Sequence, residues 1–187
     1  MSILGFKKGE LRAVVIIFIL LFTAIFFNLQ VSFRKSRDER RKGDIRAIYD
    51  ALVYYHEDSS SFPASSEGRI VACLGGFDEN NVPQRKECEW GWEGLTDIFA
   101  EESKEYIHTL PTDPYHNDGA RYLYLSNGRT FQLYASLEGE SEPEFDPAVV
   151  KRNLNCGNKI CNYGLAFNDT PLDKSIEEYE NEKRKNK

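Results

Sequence analysis

The sequence predicts an α+β fold, in which a long N-terminal helix, membrane-embedded over its first half, packs on a small antiparallel sheet with disulfide-stapled loops. Three observations predict it. Ala13 to Phe27 form an uncharged apolar block, AVVIIFILLFTAIFF. Beyond it Ile45, Ile48, Leu52 and Tyr55 recur at helical spacing, and no proline interrupts the chain before Pro63. Farther on, alternating apolar runs flank Asn127-Gly128, the strongest short-range hairpin signal.

The apolar block, flanked by Leu11, Leu29 and Val31, approaches the ~20 residues that cross a hydrocarbon core of about 30 Å. A cleaved secretory signal has a shorter apolar centre and small residues at its exit. Bulky Phe26-Phe27-Asn28-Leu29-Gln30 stands there instead, so the segment reads as retained. A buried core helix, the competing reading, is normally shorter and bounded by turn residues.

Charge divides the chain. Up to His56 there are 10 Lys/Arg against 5 Asp/Glu, and from Glu57 onward 14 against 25. The acidic balance of that second part argues against a nucleic-acid surface. Arg34, Lys35, Arg37, Arg40, Arg41 and Lys42 after the apolar block outnumber Lys7, Lys8 and Arg12 before it, which by the positive-inside rule favours a cytoplasmic C-terminus. The cysteines point the other way. Cys73, Cys88, Cys156 and Cys161 are even in number and lie beyond the apolar block, as disulfides in an oxidising compartment do. A zinc site prefers two close pairs, whereas here one pair is close and one wide. Four cysteines allow three connectivities, of which Cys73–Cys88 and Cys156–Cys161 are expected. The reading sides with the cysteines and puts the domain outside the cytoplasm.

The helix that carries the Ile45–Tyr55 stripe is expected to stop in the polar run before Phe62-Pro63, and the stripe to lie on a sheet. Ala64 to Gly94, with Gly75-Gly76, Asn80-Asn81 and Pro83, reads as a loop-rich excursion pinned by the first cysteine pair. Leu95, Ile98, Phe99, Tyr106 and Ile107 predict a second helix over 92–107, with Trp90 and Trp92 as core anchors at its start. The hairpin pairs Tyr122–Leu125 with Thr130–Ala135, and a third strand is expected at Asn162–Phe167. One helix followed by such a sheet is an α+β layout.

Several of these segments, in this order, resemble one family. Gly5, Phe6 and Glu10 ahead of the apolar helix are similar to the N-terminus of type IV pilins and type II secretion pseudopilins. The stretch Asp44-Ile45-Arg46-Ala47-Ile48-Tyr49-Asp50-Ala51-Leu52, Phe62-Pro63, Leu110-Pro111-Thr112-Asp113-Pro114, the Tyr-x-Tyr hairpin and Ser136-Leu137 resemble the major pseudopilins. The resemblance covers roughly residues 5 to 63 and 106 to 138. It implies cleavage by a prepilin peptidase between Gly5 and Phe6, methylation of the new N-terminus, and pairing of Glu10 with that terminus on a neighbouring subunit. An ionised carboxylate near the bilayer is costly unless paired. The leader Met1–Leu4 lacks the usual Lys or Arg, Lys7-Lys8-Gly9 replaces small or apolar residues, and Phe27 stands where many pilins have proline.

The domain organisation that follows is a leader over 1–5, a transmembrane and assembly helix over 6–31, its soluble half over 32–57, a globular domain over 58–172 and a charged flexible tail over 173–187. The implied partners are the chain itself, sister pilin-like subunits, membrane lipid and the peptidase, at a bacterial cytoplasmic membrane. A non-polymerising single-pass protein displaying an acidic adhesion or sensing domain is the alternative. Relatives often hold calcium in the loop after Ser136-Leu137, where this chain has Glu138, Glu140 and Glu142, carboxylates that suit that ion. A solvated acidic face is the commoner meaning of such a run. His56, His108 and His116 stand at unrelated intervals with no H-E-x-x-H, G-x-S-x-G or P-loop pattern, so no enzymatic role and no cofactor is expected.

Overall fold

The computed structural model describes residues 8–99 and 104–185. Helix α1 runs Lys8–Ser59, and the chain divides into a unit ending at Arg37 and a second running from Asp38 onward. In the first, the apolar window of α1 has a mean hydropathy of 2.6 and none of it is buried. Apolar side chains project on every side, from Leu11 and Val14 to Val31 and Phe33. A helix hydrophobic all round needs lipid or other helices about it. Two of its polar side chains are satisfied within the helix, Thr23 Oγ1 donating to the Ile19 carbonyl at 2.7 Å and Asn28 Nδ2 to that of Ala24 at 3.1 Å. The helix is long and apolar enough to span a membrane.

In the second unit α1 turns amphipathic, and Ile45, Ile48, Leu52 and Tyr55 are all buried. It ends where Ser60 adopts a positive φ of 58° and returns its N–H to the His56 carbonyl, a left-handed cap. The chain then builds β1 (Ala64–Ser66), β2 (Arg69–Phe77) and β3 (Pro83–Glu87), an antiparallel sheet in that order. This corrects the loop-rich reading of Ala64–Gly94. Register shifts between Val71 and Cys73 and between Leu74 and Gly76 break the alternation by which a strand is recognised. Pro83 opens an edge strand, where its missing N–H is tolerated.

The helix expected over 92–107 is also corrected. Leu95–Thr96 form β4 and Glu105–Ile107 form β5, paired antiparallel. Gly91 donates to the Leu110 carbonyl and Leu110 to that of Glu93, a ladder that competes with helical bonding. A Cβ on Gly94 would lie 2.2 Å from the Ile107 carbonyl oxygen, so only glycine permits that approach. Trp90 packs against Tyr122, as an anchor should, but Trp92 is 81% exposed.

Past a short 3-10 turn at His116–Asp118, β6 (Leu123–Ser126), β7 (Phe131–Ala135) and β10 (Tyr163–Ala166) form the second sheet, with β7 central and wholly buried. Here the expected hairpin and third strand are met. Phe131, Leu133 and Ala135 join the cluster that holds the α1 stripe, while Tyr134 packs with Val149, Cys156 and Cys161. Val149 comes from α2 (Pro147–Lys151) and Cys156 from β8 (Asn155–Cys156), which pairs with β9 (Lys159–Ile160), and Cys161 follows β9 directly. Tyr124 links the two sheets, its N–H bonding the Gly68 carbonyl at 2.8 Å and its hydroxyl the Pro63 carbonyl at 2.8 Å.

The last described residues are helical, α3 (Ile176–Lys185), where the sequence reading expects a flexible tail. Ser175 Oγ accepts the Glu178 N–H at 3.1 Å while Glu178 returns its carboxylate to the Ser175 N–H at 2.7 Å. This is a capping box. Glu180 then fastens the helix to Asn127 and Arg129 in the hairpin turn.

Disulfides join Cys73 to Cys88 and Cys156 to Cys161, with sequence separations of 15 and 5. In the chain-entropy picture the wider loop contributes about 3 kcal/mol and the tighter one about 2. Replacing Cys73 and Cys88 with alanine is therefore expected to cost more than the same change at Cys156 and Cys161. Urea unfolding of the oxidised full chain in detergent measures both losses, and labelling of four free thiols in the unreduced, unfolded protein would refute the pairing.

Candidate functional site

Arg41 sits on the face of α1 that continues the Ile45–Ile48 stripe, and its side chain is 2% exposed. A buried guanidinium must be paired, and two loops supply its partners. The first is Leu110-Pro111-Thr112-Asp113-Pro114. Asp113 accepts the Tyr115 N–H at 2.8 Å, which orients its carboxylate. It then receives Arg41 in a two-pronged contact, Nε to Oδ2 at 2.7 Å and Nη2 to Oδ1 at 3.1 Å. The second loop follows Ser136-Leu137. The Asn162 side chain holds both backbone groups of Leu137, at 2.7 and 2.9 Å, so Glu138 reaches Arg41 Nη1 at 2.7 Å.

Asp38, one helical turn before Arg41, completes the hub. Its carboxylate accepts Arg41 Nη1 at 2.8 Å and also the N–H groups of Glu138 and Gly139 at 2.9 and 3.0 Å. One side chain thus binds both the cation and the loop that delivers another of its ligands. Burial works against the Arg41 charge, but the bonds to Asp113, Glu138 and Asp38 outweigh it and hold its pKa above the ordinary value.

Lys42 repeats the arrangement nearer the surface. Its ammonium lies 2.6 Å from Glu144, 2.9 Å from Glu142 and 3.0 Å from Glu39. Desolvation opposes its charge, and the bonds from Glu144, Glu142 and Glu39 prevail and raise its pKa. Lys42 in turn lowers that of Glu144. Asp44, also half-sheltered, accepts the Tyr122 hydroxyl at 2.7 Å, and burial raises its pKa despite that bond.

Of the calcium candidates, Glu138 is turned onto Arg41, Glu142 onto Lys42, and Glu140 is exposed. Among the described residues no group of three His, Cys, Asp or Glu is arranged to hold a metal. His116 stands in the 3-10 turn with Nδ1 3.1 Å from the Asp113 carbonyl. Gly5 and Phe6 lie outside the described residues. Glu10 belongs to α1, but its side chain is outside the described set. The sequence reading does not include the hub. Its signal was present in Asp38, Arg41 and Lys42, charged residues standing where the helical stripe runs on from Ile45.

The described chemistry of this site is positional: two cations of one helix turn gather six carboxylates and so fix two loops. No family model, curated protein or solved structure matches the chain.

Removing the Arg41 guanidinium leaves Asp38 and Asp113 buried without a counter-ion. Arg41→Met is expected to cost about 3–5 kcal/mol, read from urea unfolding of the full chain in detergent, and a loss within about 0.5 kcal/mol would show the hub to be dispensable. Lys42→Met addresses the loop. The wild type, with its own ammonium in place, should keep its unfolding midpoint in a chelator. The variant should lose stability and regain part of it at calcium concentrations on the order of 10⁻³ M. A wild-type midpoint that falls on chelation would mean a metal holds this loop.

Proposed function

We propose that the chain is a structural subunit of a filament similar to type IV pili or the type II secretion pseudopilus, anchored in the membrane by α1. One observation carries the reading. The first part of α1 exposes apolar side chains on all sides, whereas the part from Asp38 onward lays one stripe on a sheet. The first part is therefore built to be surrounded, by lipid before assembly and by the helices of sister subunits within a filament.

Supporting this are Gly5, Phe6 and Glu10 at the pilin processing spacing, an α+β domain on the outer half of the helix, and two disulfides that suit an oxidising compartment. In this reading a prepilin peptidase removes the leader at Gly5, the amine of Phe6 becomes N-methylated, and the domain lies outside the cytoplasm of a bacterium. Glu10 neutralises the terminus of a neighbour, an ion pair that is worth more near hydrocarbon than in water.

Mass spectrometry of protein from its native membrane should give Phe6 as the first residue, and an intact Met1 would overturn processing. Glu10→Ala should weaken the ladder of crosslinked multimers while insertion and the domain fold persist. Equal ladders in wild type and variant would remove the filament role.

A further inference from the structure

Residues 13–33 of α1 contain no charged side chain, and Arg12 and Arg34 bracket them. At 1.5 Å per residue these arginines stand about 33 Å apart along the helix axis, close to the thickness of a hydrocarbon core, about 30 Å. A span that fills the core therefore delivers Arg34 and Lys35 to the level of the lipid phosphates. Lys35 is exposed. The Nε of Arg34 is covered and has no hydrogen-bond partner among the described residues. Arg41 and Lys42, farther along, are by contrast engaged by carboxylates of the domain.

We propose that Arg34 and Lys35 form a cationic collar that binds the phosphate groups of anionic phospholipids in the leaflet on the domain side. The proposal rests on the membrane-anchored reading of α1. Charge complementarity and the continuity of the collar with the uncovered apolar span both favour lipid as the occupant. Guanidinium adds directional bonding to phosphate oxygens, and the lysine adds point charge. With Arg12 at the other end of the span, such a collar fixes the depth of the helix, because sliding one way would draw Arg34 and the other way Arg12 into hydrocarbon. It also gives positive charge on the far side of the span a use other than orientation.

The test uses the full chain in phosphatidylcholine vesicles carrying trace spin-labelled phosphatidylglycerol or spin-labelled phosphatidylcholine. The motionally restricted fraction of each label gives its relative association with the protein. Wild type should prefer the anionic lipid by roughly fivefold for each engaged cation at low salt. The preference should fall towards one in Arg34→Gln/Lys35→Gln and in high salt. Equal association of both lipids with wild type would overturn the collar while leaving the anchor intact. A preference undiminished in the double variant would also overturn it. If neither label is restricted, α1 does not occupy the bilayer, and the anchored reading fails with the collar. If wild type shows no preference but the double variant loses its crosslinked ladder, the cations face the acidic domain of a second copy and the lipid assignment is wrong.

Discussion

The buried guanidinium of Arg41 sets the arrangement of the domain. An apolar stripe on a helix tolerates small slips against a sheet, because burial has no direction. The planar fork on Asp113, with Asp38 and Glu138 on the remaining nitrogen, has direction and stoichiometry. It ties α1 to two loops whose carboxylates are 72 and 97 residues from Arg41 in sequence. Replacing such a group with well-packed apolar residues is often neutral for stability. What this geometry contributes beyond energy is register: the helix meets both loops at one rotation and one height. Asp38 reinforces that register through two backbone N–H groups of the second loop.

The loops of this domain are held in two ways. Two loops are closed covalently, at Cys73–Cys88 and Cys156–Cys161. Gly157 shows how closely the second ribbon docks: its φ is +73°, and a Cβ there would fall 2.0 Å from the Gly119 carbonyl oxygen. Where a carboxylate-rich loop lies against α1, the lysine and arginine of the helix act as built-in counter-ions. The Glu138–Glu144 stretch is thus neither simply a solvated face nor a set of carboxylates free for a metal. Glu138, Glu142 and Glu144 are spent on the helix, while Glu140 is exposed.

Features with strong local period were legible in the sequence. The stripe of α1, the hairpin around Asn127-Gly128 and the strand at Tyr163–Ala166 all follow from apolar spacing and turn chemistry. Over 92–107, Leu95, Ile98 and Phe99 keep helical spacing, while Gly91 and Gly94 and the pairing with Leu110 override it. The first sheet was hidden by its bulges, at Cys73 and Gly76. The Ser175–Glu178 capping box was readable as Ser-Ile-Glu-Glu, yet the charged composition around it suggested disorder. The hub was the least legible feature. Stripe spacing alone sets buried Arg41 apart from exposed Arg40, and the distinction takes effect only through carboxylates on loops some seventy and a hundred residues away.

That distinction bears on the conflict between charge and cysteines. Counted in the sequence, six cations follow the apolar block against three before it, and the imbalance favours a cytoplasmic domain. In the folded chain Arg41 and Lys42 are counter-ions of six carboxylates, and Arg40 lies 3.7 Å from Asp44. Setting aside Arg40, Arg41 and Lys42, which carboxylates engage, removes the excess of cations after the span and leaves the two sides level in number. Part of what reads as a topogenic signal is thus domain architecture carried on the same helix. With the charge argument weakened to near parity, the two disulfides weigh more heavily, and they favour the oxidising side of the membrane.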